Sequence, residues 1–405
     1  MNLADMLCYA DIAELKKIAD TYECASTSHS KNELIQNILA TVQRRDVIES
    51  RIREISGSDM RFLNSLVFEN RNAYSLEELK ARALDKSAPA GTAVAPPESG
   101  AGKKPAKSRK AKAAEQKPPP GPEELARLSI SRFKSFGWLF SGFSQQTRSL
   151  FQVPEDIKSR LCDVLERRYK ESLVYTGEPL AYRDERSLLA EDAVHFLRFV
   201  RSHIVPLTAE GVMYKRQLTQ ALDQLAVVEP LPTRGGWRFG YGRHFRDYPD
   251  RFSLLYDFVY YEGLVSESGA GHLTLTPAGT DVASGLVRPD PARMYRFWMR
   301  LYKGPIPNLS STVQWIARLS AEWVTVDSLA EVLQPLIRPY YYDTATDIFE
   351  QRILKMLMHL GVLRWGETSR GQRVVRATPQ GRALVSGHPL AYEDTLHLEA
   401  NGNKP

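Results

Sequence analysis

The spacing of apolar residues changes along residues 353–387 in a way that predicts local structure. An apolar run predicts a helix that ends at Gly361, because glycine suits a helix C-terminus. Residues 362–365 then predict a strand, a polar loop with Gly366 and Gly371 follows, and residues 373–377 predict a second strand. The stretch therefore predicts a helix followed by a two-stranded hairpin.

The same pattern occurs twice upstream. Residues 254–285 place Gly263 where the first stretch has Gly361, and both continue with Thr-Pro-x-Gly after the second strand. Residues 133–161 form a weaker copy, with Gly137 and Pro154 in the corresponding places. Before each copy, the sequence predicts a short strand that leads into an amphipathic helix, at residues 72–79, 211–218 and 323–330. A further helix is predicted before each of these strands, at residues 59–67, 192–204 and 309–321. Three matches in the same order predict a structural repeat.

Helix, strand, helix, helix and hairpin is the order of a winged helix. We therefore predict a mainly α fold with small β wings, in which tandem winged-helix units follow a helical module. The predicted boundaries are 1–55 for the module, 56–175, 176–287 and 288–387 for the three units, and 388–405 for a flexible tail. Residues 87–122, rich in Pro, Ala and Lys, have little to bury and predict a disordered insert within the first unit. A plain linker between two domains is the alternative interpretation.

The N-terminal residues 3–45 predict two amphipathic helices around a polar break, with a capping box formed by Ser30 and Glu33. The run LKKIADTYECASTSHSKNELIQNIL resembles the SAP motif, a small helix-loop-helix DNA-binding module. Ser30-Lys31 stands where that family has a Gly-Lys pair. The resemblance implies DNA contact at Lys31.

A second resemblance covers most of residues 56–387. The runs LTAEGVMYKRQL, FSLLYDFVYYEGLV with LTLTPAG, and WIARLSAEWVTVDSLAEVL are similar to the helicase-associated N-terminal domain family of bacterial XPB-type proteins. The resemblance implies winged-helix units attached to DNA repair helicases. No GxxxxGKS/T phosphate loop occurs in this chain, so no helicase motor is expected in it.

The charge of the chain is concentrated in one segment. Of the net charge of +6, the predicted insert carries seven basic against two acidic residues, which leaves the remainder close to neutral. The basic character therefore does not by itself argue that the folded parts bind phosphate. Three cysteines without a CxxC pair, no apolar run long enough for a bilayer and no secretory signal predict a cytoplasmic protein without membrane contact.

Motifs of catalysis and metal binding are missing from the sequence. No HExxH, GxSxG, GxGxxG or CxxC is present, and His195 and His203 have no ligand partners at metal spacing. We therefore predict no enzyme activity, no metal and no cofactor.

Candidate DNA contacts fall in five places. They are Lys31 of the SAP-like module, the cations of the insert, the basic third helix of the first unit, the segment RGGWRFGYGRHFR, and the wing of the third unit. In RGGWRFGYGRHFR aromatic rings alternate with cations, as in single-strand binding surfaces, although a half-buried strand has the same alternation. Beyond Lys31, the candidates are Lys103, Lys104, Lys107, Arg109, Lys110, Lys112, Arg132, Lys134, Arg234, Trp237, Arg238, Tyr241, Arg243, Arg364, Arg370, Arg373 and Arg376.

These patterns lead to two hypotheses. The first is a non-catalytic DNA-binding protein, such as a repair, helicase-associated or transcription-related factor, that binds duplex DNA mostly through phosphate contacts. Acidic third helices in the second and third units favour the alternative, a protein-interaction scaffold that serves a separate helicase or transcription complex.

Overall fold

The computed structural model describes residues 1–24, 30–69, 71, 73–84, 121–143, 147, 149–232, 241–268 and 271–387. In these ranges the chain is mainly helical with small antiparallel sheets of three or four strands, which confirms the coarse fold class predicted from the sequence. The C-terminal tail and almost all of the insert lie outside the described residues.

The chain divides into two compact units, which we describe separately. The N-terminal body comprises Met1–Val47 and Ala73–Ile157, and the C-terminal body comprises Ile48–Asn72 and Lys158–Pro405. The domain boundaries drawn from the sequence stay predictions.

The N-terminal body combines short helices with one three-stranded sheet. Its elements are α1 Leu3–Tyr9, α2 Ile12–Thr21, α3 Lys31–Val42, the start of α4 Arg45–Glu54, β1 Tyr74–Ser75, α6 Leu76–Ala83, α7 Pro122–Ser135, β2 Phe140–Ser141, β3 Leu150–Gln152 and the start of α8 Glu155–Glu171. In the sheet, β3 lies between β1 and β2 and pairs antiparallel with both.

The helices of the predicted SAP-like module share a core with α7. Leu15 and Ile18 of α2 are fully buried, and the hydroxyl of Tyr22 donates to the carbonyl of Phe136 at 2.9 Å. The capping box predicted at Ser30 is wrong, because the Ser30 side chain makes no cap hydrogen bond. Elsewhere a carboxylate does cap, since Asp11 accepts from the backbone of Glu14 at 2.7 Å at the start of α2.

The C-terminal body contains two sheets among many helices. Its elements are most of α4, then α5 Gly57–Val67, most of α8, β4 Ala181–Arg183, α9 Leu188–Ser202, β5 Val205–Pro206, α10 Lys215–Leu222, α11 Asp250–Tyr261, β6 Val265–Ser268, β7 His272–Leu275, α12 Pro277–Ala283, α13 Pro291–Lys303, α14 Leu309–Leu319, β8 Val324–Thr325, α15 Val326–Leu333, a 3-10 turn Gln334–Leu336, α16 Ala345–Asp347, a π-helical stretch Ile348–Leu354, α17 Lys355–His359, β9 Leu363–Glu367, β10 Arg373–Ala377 and α18 Pro379–Gly387. From α16 to α17 the helix is continuous.

One order of elements recurs in all three sheets. A short strand, two helices and a hairpin follow one another, and the short strand pairs with the second hairpin strand. The strand orders are β1-β3-β2, β5-β7-β6 and β8-β10-β9, with β4 added to β9 in the last sheet. The registers include Val205 opposite Leu273 and Val375 opposite Trp365.

The recurring Thr-Pro-x-Gly phrase has a structural cause. Before each hairpin, the third helix ends at a glycine with positive φ, which is 67° at Gly263 and 71° at Gly361. The Thr378 hydroxyl donates to the Gly361 carbonyl at 3.0 Å and accepts from the Gly381 N–H at 2.9 Å, so it joins that helix end to the start of α18. Thr276 makes the equivalent bonds to Gly263 and Gly279. A Cβ on Gly381 would lie 2.5 Å from the Val362 carbonyl oxygen, so no other residue fits.

Residues 48–72 belong to the core of the C-terminal body. The indole N–H of Trp315, on α14, donates to the Asn64 side chain at 2.6 Å, and the rings of Phe68 and Tyr169 pack edge-on against the same indole. The helix that the repeat placed at the start of the first winged-helix unit, α5, therefore packs on α14.

Candidate nucleic-acid interface

The predicted contacts of the N-terminal body lie on α3 and α7. The Lys31 ammonium donates to the Cys8 carbonyl at 2.8 Å. On α7, Lys134 donates to the Ser141 hydroxyl at 3.0 Å and lies 3.3 Å from the Glu14 carboxylate, whereas Arg132 is exposed. Both lysines are half-buried and have internal partners, whereas Arg132 is exposed.

The wing formed by β9 and β10 does not present four free cations. Arg364 pairs with Asp184 at 2.8 Å, and Arg373 pairs with Glu350 at 2.5 Å and with Asp327 at 3.3 Å. Arg376 donates to the Ala321 carbonyl at 3.2 Å and lies 3.6 Å from Glu322. The exposed Arg370, in the loop of the hairpin, has no ion pair within the described ranges. The sequence pattern places these arginines on one hairpin, but their carboxylate partners come from distant parts of the chain.

Two candidates from the aromatic and basic segment have partners inside the C-terminal body. Tyr241 is buried, with its ring edge-on to Tyr302 at 4.6 Å between centroids, so the ring is not placed to stack on a base in this conformation. The Arg243 guanidinium forms two hydrogen bonds with Glu267, at 2.7 and 3.1 Å, and lies 3.7 Å from the ring centroid of Tyr260. Arg234, Trp237 and Arg238 lie outside the described residues, as do Lys103, Lys104, Lys107, Arg109, Lys110 and Lys112.

The third helices of the two repeats in the C-terminal body are core helices. In α11, every residue from Arg251 to Val259 is buried. In the continuous helix from α16 to α17, the buried side chains include Phe349, Leu354 and Leu357. A helix reads base edges by inserting exposed side chains into the major groove. In this conformation α11 has no exposed face to insert, and the exposed residues of the continuous helix are Thr346, Asp347 and Gln351, none of which is a cation.

A buried charge network holds these helices in place. Arg251 on α11 lies 2.6 Å from Asp192 on α9 and 3.3 Å from Glu185, and Glu185 also bonds His359 of α17 at 2.9 Å. Burial alone would raise the pKa of Glu185, but the hydrogen bond and charge of His359 keep that pKa below its usual value. All four side chains are buried, so the carboxylates depend on these partners for their charge balance.

A second buried carboxylate, Asp257, has weaker compensation. It accepts from the Arg243 backbone N–H at 3.2 and 3.3 Å, while the Arg243 guanidinium bonds Glu267. Burial, opposed only in part by that N–H and by the Arg243 charge, raises the pKa of Asp257 to about 7. The carboxyl group therefore changes its charge near neutral pH inside the core.

One cleft of the C-terminal body, lined by residues that include Asp184, Asp290 and Gly361, has a volume of about 890 Å³. Its carboxylates are engaged in the fold, because Asp184 pairs with Arg186 and Arg364, and Asp290 caps α13 through the backbone N–H of Ala292. Within the described ranges no cluster of three or more His, Cys, Asp or Glu residues could hold a metal ion. Every helix in the same ranges is too short or too polar to cross a bilayer.

Sequence reasoning missed one basic surface. Arg53 on α4 and the doublet Arg167-Arg168 on α8 line one groove of the C-terminal body. The sequence does show Arg167 and Arg168 side by side on an amphipathic helix, which could have indicated a basic surface. Their position beside Arg53 depends on the packing of α4 and α8, which are far apart in sequence.

Comparisons with known proteins leave the family open. No family model, curated protein or solved structure matches the chain. The two resemblances drawn from sequence patterns therefore stay predictions.

Proposed function

We propose that this chain is a non-catalytic DNA-binding protein, built from three winged-helix units with a SAP-like module. The observation that carries the proposal is the repeated order of strand, helix, helix and hairpin, in which the first strand pairs with the last. This order supports the assignment of winged-helix units, whose common partner is duplex DNA, and DNA binding is proposed by analogy with that fold.

The proposed binding mode uses phosphate contacts and not base reading by the third helices. Burial of α11 and α17 supports this mode, since the residues Arg251–Val259 and Met356–His359 are buried and cannot reach the major groove. Exposed cations such as Arg132 and Arg370, together with the lysines of the insert, would then supply the affinity. Phosphate contacts release counterions, so binding would weaken steeply as salt rises.

Fluorescence anisotropy with labelled duplex, single-stranded and forked DNA, over a series of salt concentrations, tests the proposal. We expect binding to duplex DNA and a log-log salt plot with a slope of about −0.9 for each phosphate contacted. Arg370→Ala should weaken binding more than Arg288→Ala, a matched loss of one exposed arginine in the chain between α12 and α13. Absence of binding to all three DNAs at low salt would refute the proposal.

The role proposed for the insert has its own test. Deletion of residues 87–122 removes seven basic and two acidic residues. Affinity should fall and the salt slope should become shallower, while the circular dichroism spectrum keeps its helical signal. Unchanged affinity and slope after the deletion would remove the insert from the binding mode.

A second candidate function is a protein-interaction scaffold for a separate helicase or transcription complex. The ion pairs of Arg364, Arg373 and Arg376 favour it, because carboxylates of the same chain balance three of the four arginines predicted to contact DNA from the wing. Recovery of a stoichiometric partner from nuclease-treated lysate, together with no duplex binding at low salt, would select this function over the first.

A further inference from the structure

The groove between α4 and α8 differs from the predicted basic sites in its charge balance. It has a volume of about 280 Å³ and is lined by Glu49, Ile52, Arg53, Val164, Arg167, Arg168 and Glu171, all from the C-terminal body. Ile52 and Val164 are buried and form an apolar floor, whereas the three arginines are exposed at the rim. Two helices thus hold three guanidinium groups around one small cavity.

These arginines retain free donors. Within the described part of the chain, neither Arg53 nor Arg167 forms an ion pair or a side-chain hydrogen bond. Arg168 donates one N–H to the Ile52 carbonyl at 3.4 Å, a contact that places its guanidinium at the C-terminal end of α4. The contrast is with Arg243, Arg364 and Arg373, whose charges are balanced by carboxylates at 2.5–3.3 Å.

We propose that this groove binds a phosphate group of the DNA backbone, an inference that rests on the proposed function and gives it a binding surface. A guanidinium presents a planar fork of N–H donors that matches two phosphate oxygens, and three forks around one cavity can satisfy a phosphodiester from several sides. Glu49 and Glu171 also line the groove, so three cations against two carboxylates leave it a net charge of +1.

The position of the groove on two helices also suits phosphate binding. Both walls are regular helices, α4 and α8, and the floor residues Ile52 and Val164 are fixed in the core. The backbones that carry Arg53 and Arg167 are therefore held by regular helices at one groove, and only their side chains have to be ordered on a ligand. Contact with a phosphate carries no base information, so the groove would add affinity without sequence preference.

The test compares two double variants of the full-length protein with equal loss of charge. In the groove variant Arg53→Ala and Arg167→Ala are combined, and in the control Arg216→Ala and Arg288→Ala are combined, both at exposed positions. Arg168 is kept because it bonds to the α4 backbone. Duplex DNA is titrated by fluorescence anisotropy across a salt series, and circular dichroism checks that each variant is folded.

We expect the groove variant to lose about tenfold or more in affinity, as for a charged hydrogen bond, and its salt slope to become shallower by about one phosphate. The control should keep the wild-type slope. Equal losses in both variants would assign the effect to net charge and overturn the groove. Unchanged binding of the groove variant would also overturn it while the DNA-binding function stands.

Inorganic phosphate separates the groove from the proposed function. If the wild-type protein binds no DNA, the proposed function fails, and titration with phosphate observed through the arginine Nε–Hε signals by NMR decides the groove. Shifts in the wild type that are lost in the groove variant would keep an anion site for free phosphate. Absence of such shifts would overturn the groove as well.

Discussion

Asp257→Asn is the sharpest test of the electrostatics of the C-terminal body. Asp257 is buried in α11, and its pKa is raised from 3.8 to about 7. The folded protein therefore binds this proton more tightly than the unfolded chain does between these two pH values. The contribution of the protonated carboxyl to the free energy of unfolding is fully present below about pH 4. It decreases as the pH rises and is lost above about pH 7.

The magnitude follows from the shift. A difference of about three pKa units corresponds to about 4 kcal/mol of unfolding free energy lost between acid and alkaline pH. Asparagine keeps an oxygen that accepts from the Arg243 N–H and carries no charge. It adds an amide group whose donors cost about 1–3 kcal/mol if they find no partner. We therefore expect Asp257→Asn to be more stable than the wild type at pH 8 and to lose most of that advantage by pH 5, because the wild type regains stability as Asp257 is protonated.

Urea denaturation followed by circular dichroism, at half-unit steps from pH 5 to pH 8, measures this difference. Asp281→Asn, an exposed carboxylate on α12, serves as the control and should follow the wild-type curve. Glu267 and Arg243 face Asp257 and remain in both variants. If wild type and Asp257→Asn show parallel pH dependence, Asp257 does not titrate in this range and the reasoning about its burial fails.

Three further changes probe the fold. Gly381→Ala should destabilise by several kcal/mol, because its Cβ would lie 2.5 Å from the Val362 oxygen, whereas Gly387→Ala meets open space and should be neutral in the same thermal melt. Arg251→Ala should cost about 3–5 kcal/mol, because it removes the cation that pairs with the buried Asp192 and one of the partners of the buried Glu185, and a loss below about 1 kcal/mol in urea would contradict that account. Tyr341→Gly should stabilise the protein by about 1 kcal/mol, because Tyr341 is 78% exposed and has a φ of 51°, which glycine adopts without strain. A lower melting temperature of the variant in calorimetry would contradict this prediction.

The repeat was predictable because its physical causes are local. A helix that ends with a residue in the left-handed conformation favours glycine at that position. The two hydrogen bonds of the Thr378 hydroxyl go to Gly361 and Gly381, which flank the hairpin in sequence. The same local logic placed Gly263 and Thr276. The two strands β9 and β10 were also predictable, because they are consecutive in sequence and pair with each other across one short loop.

Whether each candidate DNA-contact residue is exposed or already paired within the protein was not predictable in this way. Arg364 is paired by Asp184, which lies 180 residues away in the chain, and Arg373 is paired by Glu350 from the preceding helix. Tyr241 has the sequence context of a stacking residue, yet its ring is covered by Tyr302. No pattern within a short window contains these partners, so free and paired cations look alike in the sequence.

By itself the sequence determined the recurring order of strand, helices and hairpin and the glycine-terminated third helices, because each depends on the chemistry of neighbouring residues, but it predicted two helices over residues 3–45 where the structure has α1, α2 and α3. Only the tertiary structure decided which charges are neutralised, that α11 and α17 are buried, and that Arg53 meets Arg167 across a groove. Those outcomes depend on contacts between segments far apart along the chain, and burial and Coulomb energy are properties of such contacts and not of residue type.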